Sequence, residues 1–299
     1  QLARYVERER IELVQAVFPD AVLLAALLRG VTPVRLIGSF RDLGFWRDRA
    51  SNLKMRLSVP LFSGFIANSR AVREHHARLE RIAPERIEVI YNGLDFSRIP
   101  PSVERGGAPI VGIVGNYNRP VKRLDDFVEA ARLLLDRRPE VRFQVVGDGG
   151  LMPELKRRAQ CLGLGDAIEF TGRVDNPLDF VRRFSVGVIT SESEGLCNAI
   201  LEYLACAVPV VATATGGNDE LVTEGTTGHL VPVGDVQALA GRIGDLLAEP
   251  AHRLQMANRG QAEVVERFGL DRMVRQHHDY YQRILRRPAR LKLARAEKG

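Results

Sequence analysis

Short apolar runs alternate with longer amphipathic segments through the second half of the chain. The apolar runs predict strands, and the spacing of apolar residues between them is typical of helices. Alternation at this pace is typical of an α/β domain whose parallel sheet is covered on both faces. The predicted strands are 109–114, 141–146, 167–170, 186–189, 210–212 and 229–233, and the predicted helices are 124–136, 153–162, 178–184, one from near Asn198 to Pro209, and helical structure after 233.

The first hundred residues show this pattern less fully. Residues 2–30 are predicted to form two helices, and only three strands are predicted, which is few for a doubly wound domain. Residues 38–42 are predicted to form a polar loop after the first strand, where ligands of open α/β sheets bind. The three strands are 34–37, 62–67 and 87–91, and a helix is predicted at 70–81.

Length and composition are those of a folded globular protein. The chain has 299 residues, enough for two domains, and a proline- and glycine-rich interval at 100–107 predicts the boundary. Hydrophobic residues make up 45% and charged residues 27%, so neither disorder nor a membrane span is predicted. Three cysteines without a CxxC pair indicate reduced thiols in a cytoplasmic protein.

The net charge of +6 is concentrated near the end of the chain. Residues 283–298 are rich in arginine and lysine and contain one acidic residue, Glu297. Such a tail predicts attraction to an anionic membrane surface or to phosphorylated substrates, and a solvated helix end is the alternative. Nucleic acid is not expected as a partner, since no aromatic residue follows Tyr281 and no nucleic-acid motif occurs.

Two glutamates stand out at the predicted loop and helix after strand 186–189. Glu194 lies in the loop and Glu202 about one turn into the helix. Free amides at 196–199 and the helix dipole predict an anion site, so the two carboxylates are left to accept hydrogen bonds from sugar hydroxyls. The alternative is an ordinary amphipathic helix with two solvated glutamates.

Three further stretches have phosphate-binding features. In the loop after strand 109–114, Arg119 and Lys122 can reach phosphate oxygens, although solvated cations on a polar loop are the alternative. Residues 147–150 read GDGG, which fits a phosphate cradle or a tight turn. Gly216–Gly217 either lets the backbone approach a ligand or only turns the chain.

Metal and hydrolase chemistry are not expected. None of the six histidines has zinc-ligand spacing, and no D-x-D motif occurs to hold a metal against a diphosphate. Ser191 and Ser193 lack a nucleophile-elbow pattern. We therefore expect no metal and no cofactor.

Four runs resemble glycosyltransferase family 4, and the similarity extends over about residues 60–285. These enzymes are retaining and metal-independent, and their two Rossmann-like domains form the GT-B fold. The resemblance thus implies an α/β, GT-B chain with parallel sheets. The runs are SESEGLCNAILEYLACAVPVVATATGGNDELV, NRPVKRLDDFVEAARLL, FIANSRAVREHH and VIYNGLD.

The resemblance also implies roles for individual residues. Glu202 would bind the ribose hydroxyls and Glu194 the donor sugar, while Lys122 matches the phosphate-binding lysine. Asn116 stands where the family has an arginine, so Arg119 is the candidate to replace it as the second catalytic cation. The remaining implied donor residues are Val174, beside the base, and the amides of Gly195, Leu196, Cys197, Asn198 and Ala199; Arg41 and Asp42 are implied on the acceptor side.

The implied organisation is an incomplete acceptor-side domain at 1–103, a donor domain at 104–275, and a returning helix with the basic tail at 276–299. The strand shortfall leads us to expect that opening elements of the first domain precede Gln1. The implied reaction moves a sugar from a nucleotide diphosphate sugar to a glycan or lipid-linked acceptor. Retention would follow from front-face attack, in which the leaving diphosphate helps deprotonate the acceptor.

Two alternatives stay open at this stage. A nucleotide-sugar 2-epimerase has the same fold but needs acid and base side chains around the sugar. A binding module would hold nucleotide sugar without turnover, and the expected incompleteness of the first domain is the chief support for this alternative.

Overall fold

Two wholly parallel β-sheets organise the chain. The computed structural model describes residues 1–17, 19–45, 47–101 and 106–287. The strands are β1 (Leu13–Ala16), β2 (Arg35–Phe40), β3 (Gly64–Ala67), β4 (Ile87–Val89), β5 (Ile110–Val114), β6 (Arg142–Val146), β7 (Ile168–Gly172), β8 (Val186–Ile189), β9 (Val210–Thr213) and β10 (Gly228–Val231). The helices are α1 (Leu2–Arg8), α2 (Pro19–Arg29), α3 (Arg49–Ser58), α4 (Arg70–Glu80), α5 (Leu124–Arg137), α6 (Met152–Cys161), α7 (Leu178–Val181), α8 (Asn198–Ala205), α9 (Val236–Ala248), α10 (Pro250–Arg267) and α11 (Leu270–Arg286).

The first sheet has the order β1-β2-β3-β4 and contains a strand that the sequence pattern did not predict. The prediction of two helices over residues 2–30 is wrong in its middle, because Leu13–Ala16 pairs with β2 from Arg35 to Gly38. A four-residue strand between two helices is too short to show a period of its own. The first sheet therefore has four strands within the described residues, rather than three.

The predicted loop at residues 38–42 is also partly wrong. Gly38 to Phe40 are the last residues of β2 and pair with Phe65 to Ala67 of β3. Gly38 is needed there because a Cβ would meet the ring of Phe65. The loop after β2 begins at Arg41 and leads to α3, a helix that was not predicted and that Asp48 caps by accepting the Ser51 amide.

The second sheet has the order β10-β9-β8-β5-β6-β7 and confirms the six predicted strands to within a few residues. The chain builds β5, β6 and β7 in one direction and then returns to place β8 on the other side of β5. This reversal makes the gap between β5 and β8 the topological switch point of the sheet. Ligands of open α/β sheets bind in the crevice beyond the carboxyl ends of the strands at such a point.

Two aromatic rings hold β5 and β8 together below the switch point. Gly112 and Gly187 are paired across the two strands, and their missing side chains leave room for the rings of Phe184 and Tyr203. The Tyr203 hydroxyl accepts a 2.7 Å hydrogen bond from the Val114 amide. Because Tyr203 belongs to α8, this bond fixes α8 relative to the end of β5.

The last helix, α11, packs against the first sheet rather than the second. Ile284 lies in a core cluster with Ile37, Ile66 and Ile90, and the hydroxyl of Tyr280 donates to the Phe65 carbonyl at 3.1 Å. The predicted domain limits stay a prediction. Residues 102–105 of the expected boundary and residues 288–299 of the basic tail lie outside the described residues.

Candidate functional site

A cleft of about 870 Å³ opens at the carboxyl ends of β5, β6, β7 and β8. This volume is in the range of small-molecule binding sites. The cleft spans the switch point and reaches the first residues of α8. Of the residues predicted from sequence, nine line it: Asn116, Lys122, Val174, Glu194, Leu196, Cys197, Asn198, Ala199 and Glu202.

Lys122 and Glu194 form an ion pair in this cleft. The Lys122 Nζ lies 2.6 Å from Oε1 of Glu194, with side-chain exposures of 34% and 12%. Burial works against the ammonium, but the Glu194 carboxylate outweighs it and raises the pKa of Lys122. Lys122 is therefore a cation at neutral pH. The Thr190 hydroxyl donates a hydrogen bond to the Lys122 carbonyl at 2.7 Å, which ties the backbone of Lys122 to the chain just after β8.

The Glu202 carboxylate faces the cleft from α8 without a partner of its own. Within the described part of the chain it takes part in no hydrogen bond or ion pair, and burial raises its pKa above the usual value. A partly buried carboxylate in this state gains most from ligand groups that donate hydrogen bonds to it. Neighbouring hydroxyls of a sugar are such groups.

The N-terminus of α8 points its first residues at the same cleft. Cys197, Asn198 and Ala199 line it, and the first amides of a helix lack partners within the helix. Together with the helix dipole, these amides favour an anion. Burial raises the pKa of the Cys197 thiol to about 12, so Cys197 contributes backbone rather than a thiolate.

The GDGG stretch at 147–150 supports the loop after β5. The Tyr117 amide donates to the Asp148 carbonyl at 3.0 Å, and the Leu151 amide donates to the Tyr117 carbonyl at 3.1 Å. A Cβ on Gly149 would overlap the backbone of Tyr117. The tight-turn interpretation of GDGG therefore accounts for Gly149, while Gly147, Asp148 and Gly149 also line the cleft.

The glycine pair 216–217 packs under the loop that carries Glu194. Gly216 has a φ of +55°, and a Cβ there would overlap the Glu194 carbonyl oxygen. The Gly217 amide donates to the Gly195 carbonyl at 3.0 Å. The sequence left open whether this pair lets the backbone approach a ligand or only turns the chain. The structure shows a close approach, but to the backbone of Glu194 and Gly195 rather than to a ligand.

Four predicted site residues do not line the cleft. Gly195 packs against the Arg41 carbonyl, which leaves no space for a Cβ. The carboxylate of Asp42 accepts the Gly44 amide at 2.7 Å within its own loop. Arg119 lies over the ring of Phe45, 5.6 Å from its centroid, and so reaches towards the first domain. The acceptor-side role of Arg41 and Asp42 and the phosphate role of Arg119 stay predictions.

Sequence reasoning missed several residues at or near the cleft, among them the charged Arg173 and Glu220. Arg173 lines the cleft next to Val174. Its position in the turn after β7 is the sequence feature from which it could have been predicted. Glu220 lies below the Glu194 loop and is 7% exposed. Nothing in the polar triplet Asn218–Glu220 distinguishes it from a solvated acid.

Neither a metal cluster nor a membrane span occurs in the described ranges. Over residues 1–17, 19–45, 47–101 and 106–287, no three histidine, cysteine or acidic side chains are grouped so that they could bind a metal. Over the same ranges, no helix has the length and apolar character needed to cross a bilayer.

Two parallel α/β sheets, with a cleft and a helix N-terminus at the switch point of the second, form the architecture of the GT-B class of glycosyltransferases. HepE from Anabaena, solved in complex with UDP, superposes with a TM-score of 0.86 at 24% identity, over 94% of this chain and 81% of that one. This likeness supports the GT-B fold predicted from the sequence.

Two family models match almost adjacent parts of the chain. Residues 1–98 match glycosyltransferase family 4 and residues 108–249 match glycosyl transferases group 1. The chain therefore belongs to glycosyltransferase family 4, which confirms the resemblance found in its motifs.

Curated relatives agree with this assignment. An N-acetyl-alpha-D-glucosaminyl L-malate synthase from Bacillus anthracis is 26% identical over 92% of this chain. A D-inositol 3-phosphate glycosyltransferase from Streptomyces bingchenggensis (strain BCW-1) is 30% identical over 96% of it. The chain spans 71% and 64% of the lengths of these two relatives.

Proposed function

We propose that the chain is a retaining glycosyltransferase that takes a sugar from a nucleotide diphosphate sugar and transfers it to a hydroxyl of a glycan or lipid-linked acceptor. The observation that carries this proposal is the shared cleft of Lys122, Glu194, Glu202 and the α8 N-terminus. The cation and the helix terminus suit the diphosphate of such a donor. One carboxylate suits its ribose and the other its sugar.

The donor is oriented by the spacing of these groups. The diphosphate lies at the α8 N-terminus, where the amides of Cys197, Asn198 and Ala199 and the helix dipole stabilise its charge. Glu202 accepts hydrogen bonds from the ribose hydroxyls, and the base extends towards Val174. Glu194 binds hydroxyls of the donor sugar once the phosphate competes for Lys122.

Transfer proceeds by attack of the acceptor hydroxyl on the anomeric carbon from the face of the leaving group. The bond from that carbon to the diphosphate breaks as the bond to the acceptor oxygen forms. The acceptor proton passes to a diphosphate oxygen. Negative charge therefore grows on the diphosphate, and Lys122 with the α8 amides is placed to stabilise it. No metal is needed for this step in the proposal.

The acceptor enters from the side of the first domain. Arg41 and Asp42 follow β2 on that side, and the Arg41 carbonyl is packed against Gly195. Water must be kept from the donor while the acceptor binds, and contact between the domains serves this purpose. Attachment to an anionic membrane through the basic tail is part of the proposal on sequence grounds alone.

The test is acceptor-dependent release of nucleoside diphosphate from a panel of nucleotide sugars with a panel of glycan acceptors. We expect release that requires acceptor, and a product whose anomeric configuration by NMR is that of the donor. A donor epimerised without acceptor would instead indicate a 2-epimerase. Tight donor binding with no release under any condition would indicate a binding module.

A further inference from the structure

The buried carboxylate of Glu220 connects the second sheet's domain to the first helix after β3. Glu220 ends the short turn Asn218–Glu220, and its Oε2 and Oε1 accept the amides of Arg70 and Ala71, each at 3.0 Å. These are the first two amides of α4. An acid from one domain thus caps a helix of the other.

Two further bonds complete the environment of Glu220. The Tyr91 hydroxyl donates to Oε2 at 2.8 Å, and the Arg70 Nε does so at 3.1 Å. Burial works against the charged form, but the amides of Ala71 and Arg70 and these side chains outweigh it and lower the pKa of Glu220. The carboxylate is therefore charged and carries four donors, all from residues 70–91.

Helix α4 does not need Glu220 as its ordinary cap. Ser69 already fills that role, since its Oγ accepts the Val72 amide at 3.1 Å. A local serine cap is sufficient for most helices. The bonds to Glu220 therefore add something other than a helix cap: they join the second domain to the start of α4 in the first domain.

The turn that carries Glu220 also supports the loop that carries Glu194. The Thr215 hydroxyl donates to the Glu192 carbonyl at 2.9 Å, and the Gly217 amide donates to the Gly195 carbonyl at 3.0 Å. Gly217 further packs against Ser69, where a Cβ would lie 2.8 Å from the serine Cβ. One short segment, 215–220, therefore contacts both the donor-sugar loop and the start of α4.

We infer that Glu220 is a positioning residue for sugar transfer: by capping α4, its carboxylate fixes the Glu194 loop against the first domain. This inference rests on the proposed function. Transfer needs the acceptor and donor atoms aligned to within about 1 Å, and misplacement of that size costs about 100-fold in rate. The proposed nucleotide contacts at Glu202 and the α8 N-terminus are not bonded to Glu220. The α8 N-terminus meets the first domain through a separate bond, in which Asn92 Nδ2 donates to Asn198 Oδ1 at 2.7 Å.

The test compares Glu220→Ala and Glu220→Gln with Asp219→Ala, which removes an exposed acid at the adjacent position. Binding is measured with whichever of UDP, GDP and ADP binds wild type most tightly. We expect Glu220→Ala to leave that affinity within about threefold, as for distant sites, and to lower kcat by about 100-fold. Glu220→Gln keeps one acceptor oxygen, so its kcat should lie between those of Glu220→Ala and wild type. Asp219→Ala should have the kcat and the nucleotide affinity of wild type.

A second readout follows the domains directly. Cys161 is exposed while Cys197 and Cys206 are buried, so spin labels attach selectively at Cys161 and at a Glu85→Cys site in the first domain. We expect one narrow distance distribution in the doubly labelled parent and a broader one when Glu220→Ala is added. Should Glu220→Ala fail to fold, the kinetic and the distance measurements are made on Glu220→Gln and Tyr91→Phe instead.

An unchanged distance distribution together with a kcat within about threefold of wild type would overturn the inference. Loss of nucleotide affinity in step with kcat would do so as well, since that outcome indicates general damage. If wild type transfers no sugar, the proposed function fails on its own. The distance measurement then still decides whether Glu220 fixes the domains.

Discussion

The Lys122 Nζ lies 2.6 Å from Oε1 of Glu194, so a cation from the loop after β5 pairs with a carboxylate from the loop after β8. The two strands diverge at this point, and the ion pair bridges the crevice between them. A bound diphosphate competes for the same cation. Its arrival would free Glu194 for the donor sugar, which links phosphate binding to sugar binding.

Removing the Lys122 cation should weaken binding through the phosphates alone. We expect Lys122→Ala to reduce affinity for whichever of UDP, GDP and ADP binds wild type most tightly, by about 1.5–3 kcal/mol, the range for hydrogen bonds to charged groups. Affinity for the matching nucleoside, which has no phosphate, should be unchanged. Calorimetric titration of both ligands checks this, and an equal loss for the nucleoside would contradict the phosphate role.

Burial of Glu202 predicts a pH-dependent cost in stability. Burial raises the folded-state pKa of Glu202 above the usual glutamate value of 4.5, so the folded chain holds the proton more tightly than the unfolded chain. Stability contributed by this group is therefore present at low pH and is lost as pH rises from about 4.5 through the folded pKa. Glu202→Gln stays neutral and should unfold at a higher temperature than wild type at pH 7.

The same comparison at low pH is the control for Glu202. Below pH 4 both side chains are uncharged, so the difference in thermal midpoint should disappear. Midpoints are followed by circular dichroism from about pH 3, below the ordinary glutamate pKa, to about pH 8. A difference that is constant across this range would mean that the charge of Glu202 is not the cause.

Gly216 should not tolerate a side chain. Its φ of +55° disfavours other residues, and a Cβ would overlap the Glu194 carbonyl. We expect Gly216→Ala to cost at least about 1–3 kcal/mol of unfolding free energy, the scale of local backbone strain. Gly241 in α9 meets nothing within 4 Å, so Gly241→Ala should instead stabilise by about 0.5–1 kcal/mol. Urea denaturation of both variants that gave equal effects would refute this account of Gly216.

A buried ion pair holds the loop between β2 and α3. Arg47 Nη1 lies 2.7 Å from Oε1 of Glu80, with side-chain exposures of 3% and 0%, and His76 Nδ1 lies 3.7 Å from the same oxygen. Arg47→Ala should cost about 3–5 kcal/mol because it leaves the buried Glu80 carboxylate without its arginine and with only the more distant His76 beside it. Arg8 pairs with Glu9 at the surface, so Arg8→Ala should cost less than about 1 kcal/mol.

The double variant separates charge from packing at this pair. Arg47→Met with Glu80→Leu removes both charges and should cost less than Arg47→Ala alone. Chemical denaturation measures all three free energies of unfolding. A double variant that is less stable than the single one would show that the ion pair itself is the stabilising element.

The second sheet was predictable because most of its strands are short, largely buried apolar runs with turn residues beside them. The strand Val186–Ile189 was predicted at its observed limits. The start of the next helix was placed correctly near Asn198, but the helix ends at Ala205 rather than at Pro209. Strand β1 was missed because four residues between two helices show no period, and only pairing with β2 defines it.

The residues that connect the domains could not be predicted from local patterns. Glu220 follows two polar residues and resembles a solvated acid, yet its partners Arg70 and Ala71 lie about 150 residues earlier. Arg119 was expected on the phosphates, and its contact with Phe45 depends on a loop of the other domain. In both cases the deciding interaction forms only when the two sheets are assembled.

Binding of a nucleotide sugar to the cleft tests the central claim most directly. Calorimetry with a panel of UDP-, GDP- and ADP-sugars should find at least one that binds wild type. Glu202→Ala should weaken that ligand by about 1–3 kcal/mol, whereas Glu266→Ala, at an exposed glutamate of α10, should leave it unchanged. No binding by any member of the panel, or equal affinity for Glu202→Ala and wild type, would contradict the account.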